Sequence, residues 1–265
     1  MAFDGRSLWV ALLSKNYVVR IRTVDGVPEL VAGTGSFPMA VAFDGTLIWV
    51  ANYSSNSVSR YRIDANDAPY KDSINVGVHP AALAYDGNLM WVANSGDNNL
   101  TGIDPQTGGV SKTATGLNNP QALAFDGKSL WVANYGNNTI SKIDPATGSK
   151  QGADCPVGSN PRALAFDGTY IWVANYGSNS VSKVRASDNV QVGGPLTVGT
   201  PAAVAFDGTY IWVASYGGNK VTKLQTDGTP IEPGPFDTGV NPTGLAFDGA
   251  NMWVANQGSD SLSKR

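Results

Sequence analysis

Cysteine, histidine and glutamate are almost missing from this 265-residue chain. One cysteine, Cys155, excludes an intramolecular disulfide framework and a Cys-based zinc site. One histidine, His79, leaves at most one imidazole for any triad or metal. Glu29 and Glu232 are the only glutamates among 21 acidic residues; the rest are Asp. Glu is a good helix former, whereas Asp and Gly favour turns, so this bias, with 31 Gly and 15 Pro, argues against a helical protein. No apolar run approaches the roughly 20 residues of a membrane-spanning helix. The N-terminal residues, Met1 to Gly5, lack the basic region and apolar stretch of a signal peptide. A net charge of −3 gives no electrostatic footprint for nucleic acid or a membrane surface. No nucleic-acid partner, membrane insertion, metal or cofactor is expected. A hydrophobic content of 42% is nevertheless ample for a globule.

What the chain does have is a repeat. The seven tryptophans, Trp9, Trp49, Trp91, Trp131, Trp172, Trp212 and Trp253, recur at intervals of 40 to 42 residues, and each is followed by Val-Ala. Each is preceded by an aromatic-Asp-Gly, from Phe3-Asp4-Gly5 through Tyr85-Asp86-Gly87 to Phe247-Asp248-Gly249. A period near 40 with short strands marks the blades of a β-propeller. The expectation is an all-β, seven-bladed propeller forming one domain over residues 1–265. Its blades fall at about 1–36, 37–78, 79–118, 119–159, 160–199, 200–240 and 241–265.

One unit shows the strands. Residues 121–125 alternate after Pro120 and suit an innermost strand. Asp126-Gly127 is a hairpin signal. Residues 130–134 and 139–143 follow as second and third strands, Asp144 to Gly148 reads as a turn, and a ragged fourth strand runs toward Val157-Gly158. The seventh unit stops after its third strand, so the last blade is expected to be three-stranded. Its unpaired edge could support weak self-association of an otherwise monomeric chain.

Residues 172–183, Trp-Val-Ala-Asn-Tyr-Gly-Ser-Asn-Ser-Val-Ser-Lys, with Ile143 to Gly148 and Val157 to Pro161 as later parts of the unit, resemble the YVTN repeat family of β-propellers. Trp-Val-Ala-Asn occupies the place of its name-giving tetrapeptide. The Asp-Gly-x-x-Leu/Ile-Trp element is also similar to NHL-type propellers and to streptogramin lyases. The YVTN resemblance implies a bacterial or archaeal surface protein, and hence an extracellular or cell-surface location. Resemblance to the lyases implies histidine and glutamate side chains working with magnesium in an elimination. A single His and two Glu beside prolines do not supply converging proton-transfer groups. The balance leans against an enzyme.

The repeated residues read as structure. Each Asp of an Asp-Gly turn is expected to cap its own backbone amides, not to join a cation ring. Each Trp is expected in the core between blades. The third-strand cations Arg20, Arg60, Lys142, Lys183, Lys223 and Lys264, interrupted by Gly102, read as an outer girdle, solvated or paired with Asp and not a nucleic-acid stripe.

Broken symmetry is more informative. The residue before each inner-strand proline is Phe37, His79, Asn119, Asn160, Thr200 or Asn241, and the residue after it is Met39, Ala81, Gln121, Arg162, Ala202 or Thr243. These positions lie near the channel mouth, with loops carrying Tyr53, Tyr135, Tyr176 and Tyr216. Tyr and Asn combine contact area with adaptable hydrogen bonding, although Asn also serves turns. The candidate ligand-binding set is therefore Tyr53, Tyr135, Tyr176, Tyr216, His79, Asn119, Gln121, Asn160, Arg162 and Asn241, with Arg162 suited to an anionic group. No catalytic residue is assigned. The leading expectation is a non-enzymatic binding or scaffolding module for a protein, peptide or glycan. A streptogramin lyase-like enzyme with its site at the channel mouth and a purely structural segment of a larger surface protein are the alternatives.

Overall fold

A computed structural model describes residues 1–62 and 72–265. These residues form seven antiparallel sheets in chain order, six with four strands or more and the last with three. In the fourth blade the strands are Pro120–Phe125, Leu130–Asn134, Thr139–Ile143 and Cys155–Pro156. The outer strand is shorter than its sequence suggests, and in the fifth blade it is split into Val190–Gln191 and Leu196–Thr197, both paired with Ser180–Arg185. Inner strands of successive blades pack side by side, and the seventh meets the first to close the ring.

The Asp-Gly turn does more than reverse the chain. In the fourth blade Asp126 Oδ1 accepts the backbone N–H groups of Lys128 at 2.8 Å and Ser129 at 2.6 Å. Its Oδ2 accepts the indole N–H of Trp131 at 2.7 Å. The same indole bond recurs in all seven blades, at 2.6 to 2.7 Å. Glycine follows each Asp because φ there is +89° to +97°, while a Cβ would meet no other atom. The constraint is conformational, not spatial. Both oxygens of each carboxylate are thus committed within their own blade, as the capping expectation required.

Each Trp then fills the gap to the next blade. Trp91 clusters with Leu130, Val132 and Ile143, and Trp131 with Ile171, Val173 and Val184. Trp253 clusters with Leu8 of the first blade across the closure. Seven such clusters serve the seven interfaces. All seven indoles are at most 6% exposed. Burying a large aromatic of 150–250 Å² contributes about 4–6 kcal/mol before entropy is subtracted.

The third-strand cations are not a free girdle. Strand register sets each of them opposite a Trp, as in Trp131↔Lys142 and Trp172↔Lys183. The six cations lie 4.8 to 5.8 Å from the centroids of those indoles. Several also reach forward to the turn after the third strand of the following blade. Arg60 donates to Pro105 O at 2.6 Å, Lys142 to Ala186 O at 2.7 Å, Lys183 to Thr226 O at 2.6 Å and Lys264 to Thr23 O at 3.2 Å. The third blade departs from the series at Gly102, where a Cβ would lie 3.2 Å from the ends of the Leu89 and Trp91 side chains. Lys112, paired in register with Gly102, donates to Ala146 O in the fourth blade instead.

Replacing Asp126 by Ala removes two backbone caps and orphans a buried indole N–H. The expected loss is about 3 kcal/mol, read as a lower guanidinium midpoint; an unchanged midpoint would refute the role. A pH dependence follows from Asp248. Burial pushes its carboxyl up, but hydrogen bonds from Trp253 Nε1, Asn251 N and Ala250 N outweigh that and hold it below the ordinary 3.8. A folded-state value below the unfolded one stabilises the fold above about pH 4, and that contribution is lost as pH falls through the folded value. Asp248→Asn is therefore expected to be less stable than the parent at pH 6, with the gap narrowing toward about pH 3. Denaturation midpoints across that range check the sign.

Candidate functional site

One face of the ring is built from two loops per blade, the entry to the inner strand and the connection between second and third strands. They are tied together by main-chain bonds. Tyr53 N donates to Phe37 O, Tyr135 N to Asn119 O, Tyr176 N to Asn160 O and Tyr216 N to Thr200 O, at 2.9 to 3.1 Å. Ser95 N–His79 O and Gln257 N–Asn241 O complete the set in the third and seventh blades. A second set crosses between blades. An Asn seven residues after each Trp accepts the N–H of the pre-proline residue in the next blade: Asn16 from Phe37, Asn56 from His79, Asn98 from Asn119, Asn138 from Asn160, Asn179 from Thr200 and Asn219 from Asn241. These six Asn residues all have positive φ, and Asp260 takes the corresponding place in the seventh blade. Sequence reading missed this ladder, although its fixed distance from Trp was visible.

A second set of Asn side chains holds the loops from within. Asn52, Asn94, Asn134, Asn175 and Asn256 end their second strands, and each donates to two hydroxyl or amide oxygens on the third strand. Gly35, Gly77, Gly158 and Gly239 press against four of them, so closely that a Cβ would fall within 2.8 Å of the carboxamide. Turn chemistry therefore accounts for the buried asparagines.

The proline itself begins a bulge. In each inner strand described with a proline, the residue after it has no cross-strand partner, as between Pro120 and Ala122 and between Pro161 and Ala163. Bulges re-aim side chains, and here they carry Gln121 and Arg162. Gln121 Nε2 donates to Asn119 Oδ1 at 2.6 Å. The guanidinium of Arg162 lies 5.0 Å from the Tyr176 ring centroid, and Tyr176 meets Tyr216 edge-on at 6.3 Å. Asn160 Nδ2 donates to Tyr135 O at 3.4 Å. On the other side, His79 stacks on Tyr53 with centroids 4.4 Å apart. The sequence-derived candidates thus share one face and gather into two aromatic groups, at blades two to three and five to six. Asn119, Gln121, Asn160 and Tyr135 lie between those groups in chain order, and Asn241 stands apart in the seventh blade. Tyr53, Tyr135, Tyr176 and Tyr216 are all partly exposed.

Phe37 was outside the candidate set and belongs with Tyr53, at 6.1 Å and a 59° tilt. The pre-proline residues have φ from +20° to +56°. Asn tolerates that region, whereas a bulky residue there is strained by about 1–3 kcal/mol. Phe37 and His79 bear that cost in full view of solvent, since both are exposed.

Among the described residues no group of three or more His, Cys, Asp or Glu side chains converges as a metal site. Glu29 is engaged by Arg20 Nε at 3.3 Å in the first blade, and Glu232 lies in the turn before Pro233. Cys155 is buried, and that burial pushes its thiol up, away from the reactive thiolate.

No protein-family model matches the chain, and no curated protein matches it either. Its fold is nevertheless shared with solved structures. A hydrazine synthase structure from Kuenenia stuttgartiensis is 22% identical, with a TM-score of 0.87 over 100% of this chain and 94% of that one. A catalytically inactive virginiamycin B lyase from Staphylococcus aureus, solved with quinupristin, is 18% identical, with a TM-score of 0.81 over 97% and 90%. A streptogramin B lyase is 14% identical, with a TM-score of 0.82 over 100% and 92%. At these identities the likeness is one of fold, a seven-bladed β-propeller.

Because the pre-proline backbone is strained, Phe37→Asn and His79→Asn should each stabilise the protein by about 1 kcal/mol, raising Tm by about 2–4 °C. A fall in Tm in both variants would show that the rings contribute more to folding than their conformation costs.

Proposed function

We propose that the protein is a non-enzymatic binding module that presents the loop face and channel mouth to a peptide, protein or glycan. One observation carries this reading. The backbone of that face is held by its own hydrogen bonds, while partly exposed tyrosines, His79 and Arg162 project from it at positions where the blades differ. A rigid frame bearing variable Tyr and Asn side chains limits the entropy lost on binding. The YVTN-like repeats support a place at the cell surface, where such a propeller could also serve as one segment of a larger assembly.

A second reading is favoured by the fold-wide likeness to virginiamycin B lyase, whose structure holds quinupristin. On that reading the channel mouth around His79 and Arg162 would take a depsipeptide, with His79 as the sole imidazole able to move a proton.

Peptide and neutral-glycan arrays probed with the parent and with a Tyr135→Ala/Tyr176→Ala/Tyr216→Ala variant separate these readings. The binding module predicts signals that fall at least about tenfold in a variant whose Tm is little changed, as expected when contact aromatics are truncated. Signals that persist unchanged would remove the loop face as the site. Quinupristin turnover abolished by EDTA and by His79→Ala would instead establish the lyase-like reading.

A further inference from the structure

Three aromatic rings meet at the rim of the second and third blades. Tyr53 is the central one, with the His79 imidazole parallel to it at 4.4 Å and 3°, and Phe37 tilted by 59° at 6.1 Å. Phe37 is 41% exposed and His79 is exposed, whereas Tyr53, one face covered by the imidazole, is half-buried. Apolar surface of that size is unfavourable in water. Backbone conformation makes the arrangement costlier still, since both residues sit at φ +56°.

That conformation is firmly imposed. Asn16 Oδ1 accepts the N–H of Phe37 and Asn56 Oδ1 that of His79, at 2.9 and 3.0 Å. Tyr53 N and Ser95 N close the other side by donating to the carbonyls of Phe37 and His79. Asparagine fits the same position in the fourth, fifth and seventh blades, at Asn119, Asn160 and Asn241. Core packing does not call for a ring here, because neither Phe37 nor His79 is buried. A surface for stacking does.

The polar surroundings narrow the ligand. Asp97 Oδ2 accepts the N–H of Val78, next to His79, at 2.8 Å. In other blades a serine hydroxyl makes this contact, as Ser178 does for Ser159. The exposed Asp97 therefore adds a carboxylate beside the backbone that carries His79, and its Oδ1 takes no hydrogen bond from the described residues. Flat aromatic faces near a free acceptor match a pyranose, which offers C–H groups on one face and hydroxyl donors at its edge. An anionic ligand would meet the carboxylate unfavourably.

We propose that the exposed rings of Phe37 and His79, held apart and braced by Tyr53, form a stacking platform for a neutral hexopyranose, with Asp97 accepting from its hydroxyls. This rests on the loop-face binding reading and names the ligand class and the blades that take it.

Being the only histidine, His79 provides a private signal: its imidazole C–H cross-peaks can be followed as the full chain is titrated with cellotetraose, mannotetraose or galactotetraose. At least one should shift them saturably. Phe37→Asn and Tyr53→Ala should weaken that binding at least tenfold, and Phe37→Asn should do so with its Tm undiminished. A tri-galacturonate should bind at least tenfold more weakly than the best neutral sugar, a preference that Asp97→Asn should reduce. The platform is refuted if none of the three neutral sugars moves the His79 signals, or if Phe37→Asn binds like the parent. Binding lost in Tyr176→Ala or Tyr216→Ala but kept in Phe37→Asn would leave the loop-face reading standing and overturn this site alone.

Discussion

The hydrogen bond from each indole N–H to the carboxylate five residues earlier is the contact on which the propeller depends. Asp is short enough to cap its own turn with one oxygen and hold the tryptophan with the other, as Asp126 does for Ser129 and Trp131. A buried indole N–H without a partner is costly, so the bond satisfies the one polar atom of a side chain otherwise suited to the core. It also fixes the ring against the next blade. A basic residue over the indole adds a cation to its π face in six of the seven blades. Turn, core and interface therefore share one anchor, which is why aromatic-Asp-Gly and Trp recur together.

Much of this was legible in the chain. Spacing of Trp at 40 to 42 residues located the blades, and Asp-Gly with the alternating runs located their first three strands. The outer strands of the fourth to sixth blades were harder to read because they are short and interrupted: in the fourth, Thr139↔Pro156 and Ile140↔Cys155 are separated from the lone bridge Ile143↔Lys150. The third-strand cations were only partly legible, for a different reason: Arg60 does pair with an Asp, Asp72, but the contact with Trp was not foreseen. Hydropathy assigns a lysine to solvent, but only strand register reveals that Lys142 stands opposite Trp131.

The loop face divides along the same line. Its asparagines, repeated at fixed offsets, proved to serve the backbone, because a positive φ and a free carboxamide suit both a tight turn and a bridge between blades. The aromatic residues that break the repeat are not explained in that way. Reading positions one at a time could not bring Phe37, Tyr53 and His79 together, since Phe37 and His79 are 42 residues apart and the contact runs between blades. Symmetry accounts for the frame, and the exceptions to it mark the surface that differs from blade to blade.

The third blade shows how far one repeat can diverge while keeping its joints. Gly102 has surrendered the cation, yet Lys112 delivers an ammonium to the fourth blade from the neighbouring strand. The contact belongs to a place in space and not to a column of an alignment. Repeats compared column by column would score this blade as defective, whereas a comparison of filled volumes would find its contact to the fourth blade intact. Sequence likeness among blades, and among propellers, can therefore fade well before the joints between blades do.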